Sequence, residues 1–123
     1  MILVDSSVWV AHLRSADAVL VRLLEESRVL LHPFVVGELA LGNLKNRTAF
    51  LEALRQMPVA TLATDGEVLD FVERHRLHGR GIGHVDAHLL AAARLTAGAR
   101  LWTQDQRLGG VARDLGLEFD PAS

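Results

Sequence analysis

Three carboxylates stand alone in apolar stretches of this 123-residue chain. At 23% charged residues, a window of 13 should hold about three charges. Residues 1–13 hold one, Asp5; residues 81–93 hold one, Asp86; residues 29–44 hold one, Glu38. A lone carboxylate in such surroundings is costly unless it is paired, hydrogen-bonded or bound to metal. Singly, each has an ordinary reading as a helix cap or a solvent-facing position. Together they shift the weight toward a shared site.

The elements that must position these acids alternate. Residues 2–4, Ile-Leu-Val, fit a short buried strand. Asp5-Ser6-Ser7 offers N-cap chemistry for a helix over 8–14. Helical spacing continues over 17–26, through Val19, Leu20, Leu23 and Leu24. Residues 29–31 form a second strand candidate, and Pro33 fits the first turn of a helix reaching about 43. A helix over 48–56 and a weaker strand over 59–62 follow. Thr64-x-x-Glu67 has the form of a capping box opening a helix to about 76. After a glycine-rich loop over 78–83, a helix spans 84–97, with Gly98 as its stop. Residues 100–102 read as a fourth strand. Residues 104–115 read as a helix weakened by Gly109-Gly110, and 117–119 as a last short strand. Strands alternating with helices imply an α/β fold, with a central parallel sheet of four to five strands flanked by helices on both faces. No repeat or linker interrupts the chain, so residues 1–123 read as one domain.

In an open α/β sheet, ligands bind beyond the carboxyl ends of the strands. Asp5 directly follows the first strand. Asp105 lies three residues after Trp102, at a strand-to-helix turn. Asp86 falls in the first turn of its helix, and Glu38 lies mid-helix. This architecture can bring them to one edge, where carboxylates repel one another. A divalent cation relieves that repulsion, and hard cations such as Mg²⁺ prefer oxygen ligands. The chemistry best served is phosphoryl or phosphodiester chemistry.

The segments ILVDSS, FVVGELALG, GIGHVDAHLLAAA and LWTQDQRL, in this order and spacing, resemble the PIN-domain ribonucleases, and more narrowly the VapC toxins of toxin–antitoxin pairs. The resemblance spans nearly the whole chain. It implies a single PIN-like domain and places an acidic catalytic quartet on Asp5, Glu38, Asp86 and Asp105. Ser7 and Thr103 are implied as supports that orient a carboxylate or a metal-bound water. Asp5, Asp86 and Asp105 are the implied ligands or orienters of one or two Mg²⁺ ions, with Mn²⁺ able to substitute. Glu38 is the implied base. The implied reaction is RNA hydrolysis leaving a 5′-phosphate and a 3′-hydroxyl. The implied partners are an RNA substrate and a VapB-type antitoxin whose arm covers the acidic groove. The implied assembly is a homodimer, and with antitoxin a heterotetramer or larger. Two positions depart from the common pattern: Gln104 stands where a basic residue or Asn is frequent, and Gly109-Gly110 where an aromatic residue often follows.

Other constellations carry weaker signals. His84 and His88 share a helix face, but Asp86 points about 200° away from His84. Val85 occupies the Glu position of H-E-x-x-H, so a histidine metal site is not expected, and His84 reads as a border of the acidic site. His12, His32 and His75 read as structural or surface residues. Gly79, Gly81 and Gly83 lack a following Gly-Lys-Ser/Thr, which excludes a nucleotide-binding P-loop. Arg74, Arg76 and Arg80 are either RNA-phosphate contacts or a solvated helix end. No G-x-S-x-G elbow surrounds Ser6 or Ser7. Trp9, Phe34, Phe50, Phe71, Trp102 and Phe119 read as core or interface. Ser7 stands where a haloacid-dehalogenase phosphatase needs a second Asp. The single lysine, Lys45, does not match the lysine that a receiver domain needs near its last strand.

Composition bounds these readings. Half of the residues are hydrophobic, which excludes a disordered chain, and cysteine is absent, which excludes disulfides and thiolate metal sites. Residues 1–10 lack the basic start of a signal peptide, and no apolar run is long enough to span a bilayer. A cytoplasmic protein without membrane contact is therefore expected. A net charge of −2 excludes binding nucleic acid by bulk positive charge. The expected function is a metal-dependent endoribonuclease toxin, neutralised by an antitoxin. The alternatives are a PIN-like nuclease in RNA processing and a non-catalytic α/β binding module.

Overall fold

A computed structural model describes residues 1–122. The chain opens with β1 (Ile2–Val4), runs through α1 (Ser6–Arg14) and α2 (Ala18–Glu25), and returns as β2 (Val29–Leu30). Four helices follow: α3 (Pro33–Ala40), α4 (Arg47–Arg55), α5 (Asp65–His75) and α6 (His84–Leu95). β3 (Arg100–Trp102) and α7 (Gln106–Asp114) close the order.

The sheet has the order β2-β1-β3, and both pairings are parallel. Ile2 stands opposite Val29 and Arg100, and Leu3 opposite Leu30 and Leu101. Successive strand residues face opposite sides, yet Ile2, Leu3 and Val4 are all buried. Both faces of the central strand are therefore covered, which is why its sequence is continuously apolar rather than alternating. Burying a Leu or Val side chain of this kind contributes about 1.5–3 kcal/mol.

Among the described residues the sheet has three strands, not the four to five expected. Residues 59–62 and 117–119 each contribute one parallel bridge, Leu31 with Val59 and Leu101 with Glu118. On the first edge, Pro58 has no N–H to offer the ladder. Past Ala60 the chain departs, because the Thr61 N–H donates to Thr96 Oγ1 instead. On the other edge, the Leu117 carbonyl and the Phe119 N–H bracket Leu101 before the chain leaves.

Helix boundaries follow their caps. Asp17 accepts from the N–H groups of Val19 and Leu20 and opens α2. The Thr64–Glu67 capping box is formed reciprocally and opens α5. α3 ends at Ala40 and α6 at Leu95, earlier than the apolar pattern suggests. Gly98 does not stop α6; Thr96 leaves the helix in an extended conformation, and Gly98 sits two residues on with φ +72°. α7 runs unbroken through Gly109-Gly110. Trp9, Phe71 and Trp102 belong to the core. Phe34 does not; it is exposed and stands against the rings of His32 and His88.

Candidate active site

Asp5 follows β1 directly and is buried at 6% exposure. It occupies the N-cap position of α1, yet its side chain caps nothing. Instead Oδ2 accepts two short hydrogen bonds, from Ser7 Oγ and from Thr103 Oγ1, each 2.7 Å. Each hydroxyl has one proton and directs it at Asp5. Each then accepts from a backbone N–H: Ser7 from Gln104, Thr103 from Asp105, both at 3.0 Å. The 3.3 Å approach of the two hydroxyl oxygens is thus a contact of two donors aimed at the same oxygen. Oδ1 of Asp5 accepts no hydrogen bond among the described residues.

Two strand ends set this arrangement. The Asp5 N–H donates to the Trp102 carbonyl at 2.9 Å, which locks the β1 end to the β3 end. Thr103 and Asp105 follow β3. Asp105 caps α7 through Oδ1, which accepts from the Leu108 N–H, and its carboxylate is otherwise exposed. Asp86 lies in the first turn of α6, where Oδ2 accepts from the Gly83 N–H at 3.1 Å. The reciprocal half of a capping box is absent because Gly83 has no side chain. Glu38 comes from the exposed side of α3 and touches Ser6 Oγ at a long 3.4 Å.

Electrostatics tie the acids together. Partial burial raises the Glu38 carboxyl above its ordinary range, and the charge of Asp5, then of Asp86, raises it further against the opposing Ser6 hydroxyl. Asp86 is also raised, first by burial, with the carboxylates of Asp5 and Asp105 adding to it and the Gly83 N–H opposing. The fold therefore draws Asp5, Glu38, Asp86 and Asp105 into one field of mutual repulsion. Such a field is relieved by a cation, and an all-oxygen donor set suits a hard one.

The three arginines around the glycine loop have separate surroundings. Arg80 is paired with Asp114 at 2.8 Å. Arg74 lines a cleft with Glu67, Asp70, His75 and Arg94, and none of the four acids lines it. Arg76 ends α5 in a left-handed conformation. Local spacing gave no sign of Arg107, whose side chain lies so close to Gly81 that a Cβ there would meet its Cδ at 2.8 Å. His84 and His88 share a face of α6, as their spacing implies. The Nε2 atoms of His84 and His88 lie 3.2 Å apart, and Asp65 joins them from α5. No local motif could reveal that third partner.

Comparison with known proteins is consistent in direction. The PIN domain family matches residues 2–114. Ribonuclease VapC32 of Mycobacterium tuberculosis strain CDC 1551 / Oshkosh is 50% identical over 117 residues, covering 95% of this chain and 94% of its own length. The protein of the same name in strain ATCC 25618 / H37Rv matches equally. Among solved structures, FitAcB from Neisseria gonorrhoeae aligns over 99% of each chain with a TM-score of 0.66 at 22% identity, which speaks for the fold alone.

Proposed function

This chain belongs to the PIN-domain family and, within it, to the VapC ribonucleases, and from that membership we propose that it is a metal-dependent endoribonuclease toxin of the cytoplasm. Its residues 1–123 are read as one PIN domain. The observation that carries the catalytic reading is the buried Asp5 carboxylate, fixed through one oxygen by two hydroxyls, whose charge helps to raise the carboxyls of Glu38 and Asp86.

Asp5, Asp86 and Asp105 are the residues proposed to hold Mg²⁺, or Mn²⁺ in its place. The fit rests on the donor set: every group is a carboxylate oxygen, and Asp5 Oδ1 has no competing hydrogen-bond donor among the described residues. When bound, the cation activates water and neutralises charge developing on an RNA phosphodiester. The chain's own residues do the rest. Ser7 and Thr103 orient Asp5, and the Leu108 N–H orients Asp105. Glu38, with its carboxyl raised, is suited to accept a proton from the attacking water.

A largely apolar groove is lined by Val10, Leu13, Leu39 and Leu44, with Arg14, Glu38 and Lys45 as its charged lining. It offers a seat for the apolar part of a VapB-type antitoxin, whose basic arm would meet the acids. A homodimer, and a heterotetramer or larger with antitoxin, complete the proposal.

The purified chain should cleave RNA with Mg²⁺ or Mn²⁺ and lose all cleavage in chelator. Asp5→Asn should abolish cleavage and growth arrest while melting as a folded protein. Full activity of Asp5→Asn, or indifference to chelator, overturns the catalytic reading. Cleavage without growth arrest overturns the toxin role and leaves an RNA-processing nuclease.

A further inference from the structure

We infer that Asp65, His84 and His88 form a second metal site, for a borderline-soft transition ion of the Zn²⁺ class, separate from the carboxylate cluster. The ligand atoms of the three all lie within 4.8 Å of one another. His88 Nε2 is 3.2 Å from His84 Nε2 and 3.2 Å from an Asp65 carboxylate oxygen. Two donors on one tetrahedral zinc, with bonds of about 2.0–2.1 Å, sit about 3.3–3.4 Å apart. Both 3.2 Å edges match hydrogen bonds and also lie close to the spacing of a shared ion, and the third edge, His84 to Asp65, is within 4.8 Å.

The alternative, a hydrogen-bonded trio, accommodates the geometry less well. His88 Nε2 carries at most one proton and faces two partners. If it is protonated, the hydrogen-bond geometry directs that proton to the His84 ring, and the Asp65 carboxylate stands beside it at 3.2 Å without a hydrogen bond of its own to that nitrogen. If it is not, its lone pair confronts the carboxylate at 3.2 Å. A cation between them would be shared by all three ligand atoms.

The site is held on its inner side and open on its outer side. The His88 side chain is 4% exposed, while Asp65 is 85% exposed. Phe34 stands edge-on to the His88 ring at 4.9 Å and His32 at 6.2 Å, which fixes the ring orientation. The histidines lie one turn apart on α6, and Asp65 is the first residue of α5, so the ion would clamp two packed helices. Three protein ligands leave the fourth tetrahedral position to water or an incoming group. Two imidazole nitrogens with one carboxylate favour zinc-class ions, whereas the all-oxygen acidic cluster favours Mg²⁺. The two sites therefore select different metals.

The test uses the full chain freed of metal with chelator and then titrated with Co²⁺ and Zn²⁺. Co²⁺ should produce the visible d–d bands of a tetrahedral nitrogen–oxygen site, and one equivalent of Zn²⁺ should erase them. Zn²⁺ should raise Tm, and excess Mg²⁺ should not displace it. His84→Ala and Asp65→Ala alter exposed side chains and should fold as the parent does by circular dichroism. Each should weaken Zn²⁺ binding by about tenfold or more, since even outer partners of a metal site matter that much. The double variant Asp5→Asn/Asp105→Asn should keep the cobalt bands and the Zn²⁺ affinity. No tetrahedral bands in the parent, unchanged Zn²⁺ affinity in His84→Ala, or loss of the bands in the Asp5/Asp105 variant would each overturn the assignment. The readout is independent of nuclease activity, so failure of the nuclease reading leaves it intact.

Discussion

Asp5 shows how a residue type misleads until its partners are known. A carboxylate between a strand and a helix is ordinarily a cap, and Asp5 holds the cap position without making the cap. Its Oδ2 is taken by Ser7 and Thr103, residues far apart in sequence. Adjacency offers Asp5 and Ser7 as neighbours, the family resemblance alone points to Thr103, and the pairing of β1 with β3 brings it to Asp5. Thr103→Val keeps the shape and removes one donor, so the carboxylate loses half of its orientation. RNA cleavage should fall about 10–100-fold, the range for groups that orient a metal-holding residue. The double variant Ser7→Ala/Thr103→Val leaves a buried carboxylate oxygen without donors and should also cost about 1–3 kcal/mol of stability. Single-turnover cleavage rates and urea unfolding measure the two effects. Parent-like cleavage in Thr103→Val would show that the hydroxyl serves structure alone.

Among the elements, those with a local chemical signal were legible and those completed by distant residues were not. The Thr64–Glu67 box places α5 where side chains satisfy free N–H groups, whereas Asp17 and Asp105, read from the sequence as lying inside their helices, are shown by the structure to cap them. The outer strands could not be read, because an apolar triplet does not disclose whether its neighbour continues the ladder. Pro58 and the Thr61–Thr96 bond decide that question on one edge. The glycine pair of α7 misled in the other direction, since packing of Leu108, Val111 and Ala112 outweighs its low propensity. The α3 cap carries a consequence for pH. His32 Nδ1 accepts from the Phe34 N–H at 3.0 Å, which requires that nitrogen to be unprotonated. Burial, then the charge of His88, lowers His32 from 6.5 to about 4. The folded state thus prefers the neutral ring, and the unfolded chain binds more protons between these values. Stability is full above pH 6.5 and falls as pH drops toward 4, by up to about 3 kcal/mol. His32→Asn keeps an acceptor for the cap and cannot titrate. Its unfolding free energy in chelator should be flatter across this window; a slope equal to the parent's would place the titration elsewhere.

For the whole molecule, the net charge of −2 first excluded a nucleic-acid binder that works by bulk positive charge. The fold relocates the question, because four acids are linked in one electrostatic field and four of the others pair with arginines: Glu26 with Arg28, Glu52 with Arg55, Asp114 with Arg80 and Glu118 with Arg113. Twelve of the thirteen basic residues are arginines, suited to forked phosphate contacts. On the proposed function, the metal-free edge repels RNA and the metal-loaded edge attracts it. Glu38→Gln removes one negative charge from that edge without touching the Asp5 hydroxyls. In chelator at low salt it should bind RNA severalfold more tightly than the parent, because one repelling carboxylate is gone. In Mg²⁺ the same variant should bind no better than the parent, yet cleave far more slowly, because the lost group is a proton acceptor. Fluorescence anisotropy with a short RNA, at fixed ionic strength with and without metal, separates these effects. If neutralising Glu38 leaves metal-free affinity unchanged at low salt, RNA does not approach this edge, and the acidic groove is not where the substrate lies.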